Sequence, residues 1–208
     1  MTLNNFFDKI VCINLDNRLD RWIESTRIFQ KQDLTVERIP AIYGKDLNIP
    51  TEHDVWYHGV LGCSLSHLFA VKYARQLNLN NILILEDDVD FIENVNERFD
   101  DILPELPEDW DMLYFGGNHF ESPRKISPHI SRLVSTVANH AIALNGKFFE
   151  TAIKALTNIN TINDVNYQEL QKDYNIFVTN PHLAWQRPGY SSILERHEDY
   201  SFMKEYYE

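Results

Sequence analysis

With 208 residues, 44% of them hydrophobic, the chain is long enough for one domain with a substantial core. Its 31 Asp and Glu against 19 Lys and Arg leave a formal charge of −12, which excludes the basic footprint that nucleic acid or an anionic membrane surface requires; any phosphate must be held locally, by a metal or a few basic side chains. No stretch approaches the about eighteen apolar residues of a membrane span, and the start MTLNNFFDKIVCINL lacks a basic segment ahead of a long apolar one, so the expectation is a soluble, unprocessed, cytoplasmic protein with at most peripheral membrane contact.

Lys9 to Leu15 (KIVCINL) is β-branched and apolar enough for a buried strand, and Leu19 to Gln32 places Leu19, Trp22, Ile23, Thr26, Ile28 and Phe29 at helical spacing. Thr35 to Ile39 reads as a second strand stopped by Pro40, giving a β-α-β opening that favours a parallel sheet. A loop with Gly44, Pro50 and Gly59 leads to a helix over Leu61 to Asn78, with Leu61, Leu65, Leu68, Phe69 and Leu77 as its apolar stripe. Asn81 to Glu86 is the next strand. After a bend at Pro104 and Pro107 follow a strand over Asp111 to Phe115, closed by Gly116 and Gly117, and a surface excursion from His119 to His129. Beyond it the pattern predicts strands at His129 to Val137 and Ala141 to Leu144, helices at Lys147 to Leu156 and Val165 to Tyr174, and a last strand at Asn175 to Val178. The aromatic-rich tail from Pro181 reads as a structured lid or wrap. Cys12 and Cys63 have no zinc-type spacing and read as buried free thiols.

The run NILILEDDVDF (Asn81 to Phe91) carries the strongest chemical signal, because an apolar strand breaks abruptly into Glu86, Asp87 and Asp88. Adjacent carboxylates repel one another and are costly at the edge of an apolar core, so a compensating cation or hydrogen-bond donors are expected. If extension persists, side-chain alternation puts Glu86 and Asp88 on one side and Asp87 on the other, so that two oxygens grip a hard cation such as Mg²⁺ or Mn²⁺ carrying a diphosphate. The competing reading is a solvated turn with helix-capping aspartates.

Five segments in order, VCINLDNRLDRW, RIPAIYGKDL, LGCSLSHLFAVKYA, NILILEDDV and WDMLYFGG, resemble glycosyltransferase family 25, the group of lipooligosaccharide glycosyltransferases and collagen hydroxylysine galactosyltransferases. The resemblance implies an α/β fold of GT-A type, with a mostly parallel central sheet flanked by helices, as a single domain over residues 1–208: a donor-binding half to about residue 117 and an acceptor-side half beyond. It implies a metal-dependent, inverting transfer of a hexose, galactose or glucose, from a UDP-sugar to a glycan or other hydroxyl acceptor, with Mn²⁺ or Mg²⁺ as cofactor and lipopolysaccharide-type products. Glu86, Asp87 and Asp88 stand where the family has its counterpart of the metal-binding Asp-x-Asp motif, with Glu86 and Asp88 as metal ligands and Asp87 serving the donor. The ending EYYE is not an endoplasmic-reticulum retention tail, which speaks against a lumenal collagen-modifying role.

The same resemblance marks donor-binding candidates. Asn14, Arg18 and Arg21 follow the first strand, where Arg18 pairs with a phosphate or stacks on the base; alternatively Arg18 and Arg21 form ion pairs with Asp16, Asp20 or Glu24. Ala41 and Gly44 suit close approach to uracil or ribose, or a simple turn. Ser66 and His67 brace the acidic strand or touch the donor, or His67 is a packing histidine. Asp164 matches the family's Val-Asp position and is assigned as the base that takes the acceptor proton, with Glu169 in reserve and a helix N-cap as the competing role. Gln186, Ser191 and Ser192 fall near donor or acceptor, His182 or His197 completes the metal sphere, and Trp185 and Tyr190 stack on sugars or pack in the core. Departure from the family pattern at Asn139, His140 and Ala143 supports an alternative, a nucleotide-sugar or glycan-binding module without turnover. A Mg²⁺-dependent phosphohydrolase ranks third, for want of a nucleophile motif.

Overall fold

The computed structural model describes residues 1–47, 55–159 and 161–207; the expected loop position Pro50 and the terminal Glu208 lie outside them. A short helix α1 (Leu3–Phe6) leads into β1 (Lys9–Asn14), α2 (Leu19–Lys31) and β2 (Glu37–Pro40). Next come α3 (Val55–Gln76), β3 (Asn81–Glu86), β4 (Val89–Phe91), α4 (Val95–Ile102) and β5 (Met112–Tyr114). The second half adds β6 (Asn118–Glu121), β7 (Arg124–Lys125), β8 (Ile130–Arg132), β9 (Ser135–Val137), β10 (Ala141–Asn145), α5 (Phe149–Leu156) and α6 (Asn163–Leu170). It ends with β11 (Ile176–Thr179), β12 (Ala184–Gln186), β13 (Gly189–Ser191), β14 (Arg196–Glu198) and a 3₁₀ segment at Ser201–Tyr207.

Eight strands form the central sheet in the order β2-β1-β3-β10-β5-β11-β8-β7. Six point the same way, and only β10 and β8 run against them. This is the mostly parallel, helix-flanked sheet that the β-α-β opening predicts. Both halves of the chain build it, since β10 sits between β3 and β5.

In β3, Ile82, Leu83, Ile84 and Leu85 are all fully buried. Alternation sends Leu83 and Leu85 to a face packed with Phe29, Phe91 and Phe99, and Ile82 and Ile84 to the opposite face with Val71, Ala74 and Phe149. Burial on both faces explains why the run reads as continuously apolar. At roughly 1.5–3 kcal/mol per buried side chain, these four residues anchor the acids that follow.

Several boundaries differ from the sequence pattern. Pro40 does not stop β2 but is its last paired residue, opposite Asn14, which the edge position of β2 tolerates. Helix α3 starts six residues before Leu61 and runs through Gly59, while Phe69 and Leu77 lie exposed and Ala70, Val71 and Ala74 take their place in the buried face. The single strand expected over His129 to Val137 is two strands in different sheets: β8 pairs with β11, a register that the bond from the Leu133 N–H to the Ile176 carbonyl extends by one residue, and β9 pairs with β6. The excursion His119 to His129 contains β6 and β7, and three short strands follow β11. Among the described residues, no helix is long and apolar enough to cross a membrane.

Candidate active site

The carboxyl ends of β1 and β3 meet at one edge of the sheet, where an open α/β sheet places its ligand crevice. A cleft of about 430 Å³ lies there, lined among others by Asn14, Ala41, Gly44, Ser66, Glu86, Asp87, Asp88, Asp164, Gln186 and Ser192. Residues spread over the whole sequence thus share one cavity, whereas Arg18, His67 and His182 are not in its lining.

Pairing with β1 stops at Glu86, and Asp87 and Asp88 form a tight turn into β4, so the alternation expected to unite Glu86 with Asp88 does not continue. Instead Arg21, from α2, donates to Asp87 Oδ1 at 2.5 Å and to Asp88 Oδ2 at 3.1 Å. Asn14 Nδ2 donates to Asp87 Oδ2 at 2.6 Å and also to the Arg18 carbonyl, while its Oδ1 accepts from Arg38. Asn14 therefore spends its hydrogen-bonding groups on the protein. Glu86 turns to the other side, where the fully buried His67 ring lies with Nε2 3.0 Å from Glu86 Oε1. Of the three roles expected for His67, brace, donor contact or packing histidine, the geometry is that of a brace.

Arg187, which the sequence pattern did not single out, fastens the turn from outside. Its Nη1 and Nη2 donate to the Val89 and Asp87 carbonyls, and its backbone N–H to the Asp88 carbonyl. The only trace in the sequence is its place directly after Gln186.

These partners do not neutralise the turn. Burial raises Asp87 to about 6 against the opposing pull of Arg21, and raises Asp88 as well, with Arg21 again opposing. For Glu86 burial also pushes upward, but the His67 hydrogen bond and nearby positive groups prevail and hold it below the usual range. Asp88 Oδ1 is buried and accepts no hydrogen bond from the described residues. That orphaned hard oxygen beside two further carboxylates is a donor set that suits Mg²⁺ or Mn²⁺. Cys63, His67 and Glu86 also place ligand atoms within 4.8 Å of one another, but burial lifts the Cys63 thiol well above its usual range and keeps it a poor ligand for a hard ion.

The remaining candidates have distinct positions. Arg18 ion-pairs with Asp20, the alternative its spacing allowed, and donates to Ser192 Oγ at 2.8 Å, tying the tail to the start of α2. Ser66 Oγ donates to the Gly62 carbonyl and accepts from Ile42 N–H, clamping the Ala41 to Gly44 loop onto α3. Gly44 is required by that contact, since a Cβ would lie 1.7 Å from the His58 carbonyl oxygen. His182 does not reach the acidic turn: Nε2 lies 3.0 Å from His119 Nε2 and Nδ1 3.2 Å from the Met203 carbonyl. His197 pairs edge-to-face with the exposed Tyr190 on the β13–β14 hairpin, and Trp185 is buried in the core.

Asp164 lies in the first turn of α6, whose N-cap is Ile162, so the capping role does not apply. Burial and the charge of Glu86 raise its carboxyl to about 6, with the Ala138 N–H and His67 pulling the other way. Glu169, the reserve base, is exposed and outside the cleft lining.

A family model described as glycosyltransferase family 25 (LPS biosynthesis protein) matches residues 7–162. The chain is 28% identical over 166 residues to procollagen galactosyltransferase 2 of Mus musculus, covering 67% of this chain and 27% of that protein. It is 30% identical over 149 residues to procollagen galactosyltransferase 1 of Danio rerio, covering 62% and 25%. The chain thus spans about a quarter of the length of these curated relatives. Among solved structures, a glycosyltransferase involved in the glycosylation of the major capsid of PBCV-1 aligns with TM-score 0.54 at 9% identity, over 90% of this chain and 95% of that one, and shares the fold.

Proposed function

Because the chain belongs to glycosyltransferase family 25, we propose that it moves a hexose from a UDP-sugar to a hydroxyl of a glycan acceptor, with inversion and with Mn²⁺ or Mg²⁺ at the acidic turn. The observation that carries this reading is the buried Asp88 Oδ1, left without a hydrogen-bond partner among the described residues while both Asp87 oxygens, Asp88 Oδ2 and Glu86 Oε1 are engaged by Arg21, Asn14 and His67. An ion held there would offset the charge that develops on the UDP leaving group.

The chain's own residues supply the rest. Arg21 and Asn14 fix Asp87 and Asp88 before any ligand arrives, and His67 fixes Glu86, so little reorganisation remains for binding. Asp164, ionised above about pH 6, takes the proton of the acceptor hydroxyl as it attacks the anomeric carbon from the face opposite UDP. The tail residues Gln186 and Ser192 wall the cleft against water.

Titration calorimetry with UDP tests the metal role. Binding should strengthen with Mn²⁺, and Asp88→Ala should abolish the metal-dependent part; wild-type affinity that chelation leaves unchanged would reject it. Transfer from a UDP-hexose above a heat-inactivated control separates this reading from a binding module without turnover, and phosphate release from simple esters would instead support a phosphohydrolase.

A further inference from the structure

We propose that Asn139 recognises the transferred sugar itself, by donating a hydrogen bond from Nδ2 to a hydroxyl of the hexose; this deepens the donor reading above and rests on it. The segment Ala138 to His140 runs between the two carboxylate sites. On one side the Ala138 N–H lies close enough to the Asp164 carboxyl to favour its ionised form, and on the other the His140 carbonyl accepts the Glu86 N–H at 2.9 Å. In an inverting transfer the hexose must lie between the diphosphate and the base. The residue between those two anchors is Asn139, and it lines the cleft.

Its side chain is prepared for a donor's role. Asn139 is 1% exposed, and the buried Tyr114 hydroxyl donates to its Oδ1 at 3.0 Å, which fixes the orientation of the amide. The Nδ2 group is consequently turned away from Tyr114, and no hydrogen bond from the described residues takes it up. A buried amide N–H₂ left unpaired is costly, and a sugar oxygen is the kind of acceptor that the cleft would admit. The preceding backbone is strained to hold this geometry: Ala138 has φ 75°, a left-handed conformation that alanine rarely adopts.

The test uses the full chain, the variant Asn139→Ala, UDP alone, UDP-galactose, UDP-glucose and monodeoxy analogues of the preferred donor. The melting temperature should fall, because the buried Tyr114 hydroxyl loses its acceptor, but UDP affinity of the folded variant should stay close to wild type, while kcat/KM for the preferred donor falls roughly ten- to hundred-fold. The wild type should lose a similar factor on one particular monodeoxy donor, and the variant should lose nothing further on it, because the same bond is already missing. Equal losses on UDP and on every donor would assign Asn139 a merely structural role and overturn the proposal, as would unchanged selectivity. A wild-type chain that neither binds nor uses any of these donors would overturn the donor reading itself, a result distinct from an active chain indifferent to Asn139→Ala.

Discussion

Glu86, Asp87 and Asp88 each take a hydrogen bond from a side chain of another element, whereas Asp164, in the same cleft, takes none from a side chain of the described residues and has only the Ala138 N–H close by. The acidic turn is a structural commitment: α2, β1, α3 and the tail all spend side chains on it. Burial raises Asp164 to about 6, as it raises Asp87 against the pull of Arg21, so the two regions differ in their side-chain partners and not in their proton affinity. One fold thus pins the carboxylates of the turn with side chains from several elements and leaves Asp164 without such a partner among the described residues.

The largest expected effect breaks the Asp164 side. Asp164→Asn should keep UDP affinity and lower kcat by about two to four orders of magnitude, the usual worth of a positioned base, as read in steady-state transfer assays. Near-normal transfer would move the base elsewhere. The wild-type rate should fall as pH drops through about 6, where Asp164 takes up its proton.

Breaking the committed side should cost stability. Arg21→Ala leaves Asp87 and Asp88 buried without their shared cation, and should lower unfolding free energy by about 3–5 kcal/mol in urea titration, with partial rescue by Arg21→Lys. A loss under about 1 kcal/mol would show that the turn does not depend on this pair.

A smaller effect sharpens the contrast. The Asp164 carboxyl is raised in the fold from 3.8 to about 6, so its contribution to stability is fully present below about pH 4 and is lost as pH climbs through about 6. Asp164→Asn should therefore melt a few degrees higher than wild type at pH 8, reflecting about 1–3 kcal/mol, and nearly coincide with it at pH 4. Equal melting at pH 8 would mean that the buried charge costs nothing. Smallest of all, Arg75→Ala removes only an ion pair to the exposed Glu150, and should leave the melting temperature within about 1 °C.

The elements legible from sequence are those with a strong local signature. Strand β3 has the predicted bounds, because a run of four apolar residues ending in acids has one good register. Helix α2 agrees within a residue. Helix α4 gave too little signal, with Val95, Phe99 and Ile102 its only buried apolar positions in eight residues and no side-chain cap. The site was legible as a list of residues rather than as a set of contacts. Arg21 had Asp16, Asp20 and Glu24 as local partners to choose from, yet it crosses 66 positions to reach Asp87. His182 looked like a late metal ligand, and packing turned it to His119 instead.

The amino-acid sequence alone determined the alternation of strands and helices, the acidic end of β3 and the family, since periodicity, breakers and motif order are local properties carried along the chain. Tertiary structure decided which carboxylates side chains from other elements hold and which they do not, and it brought Asn139 between them. Charge compensation and desolvation depend on distances between residues far apart in the chain, and only the folded sheet edge sets those distances.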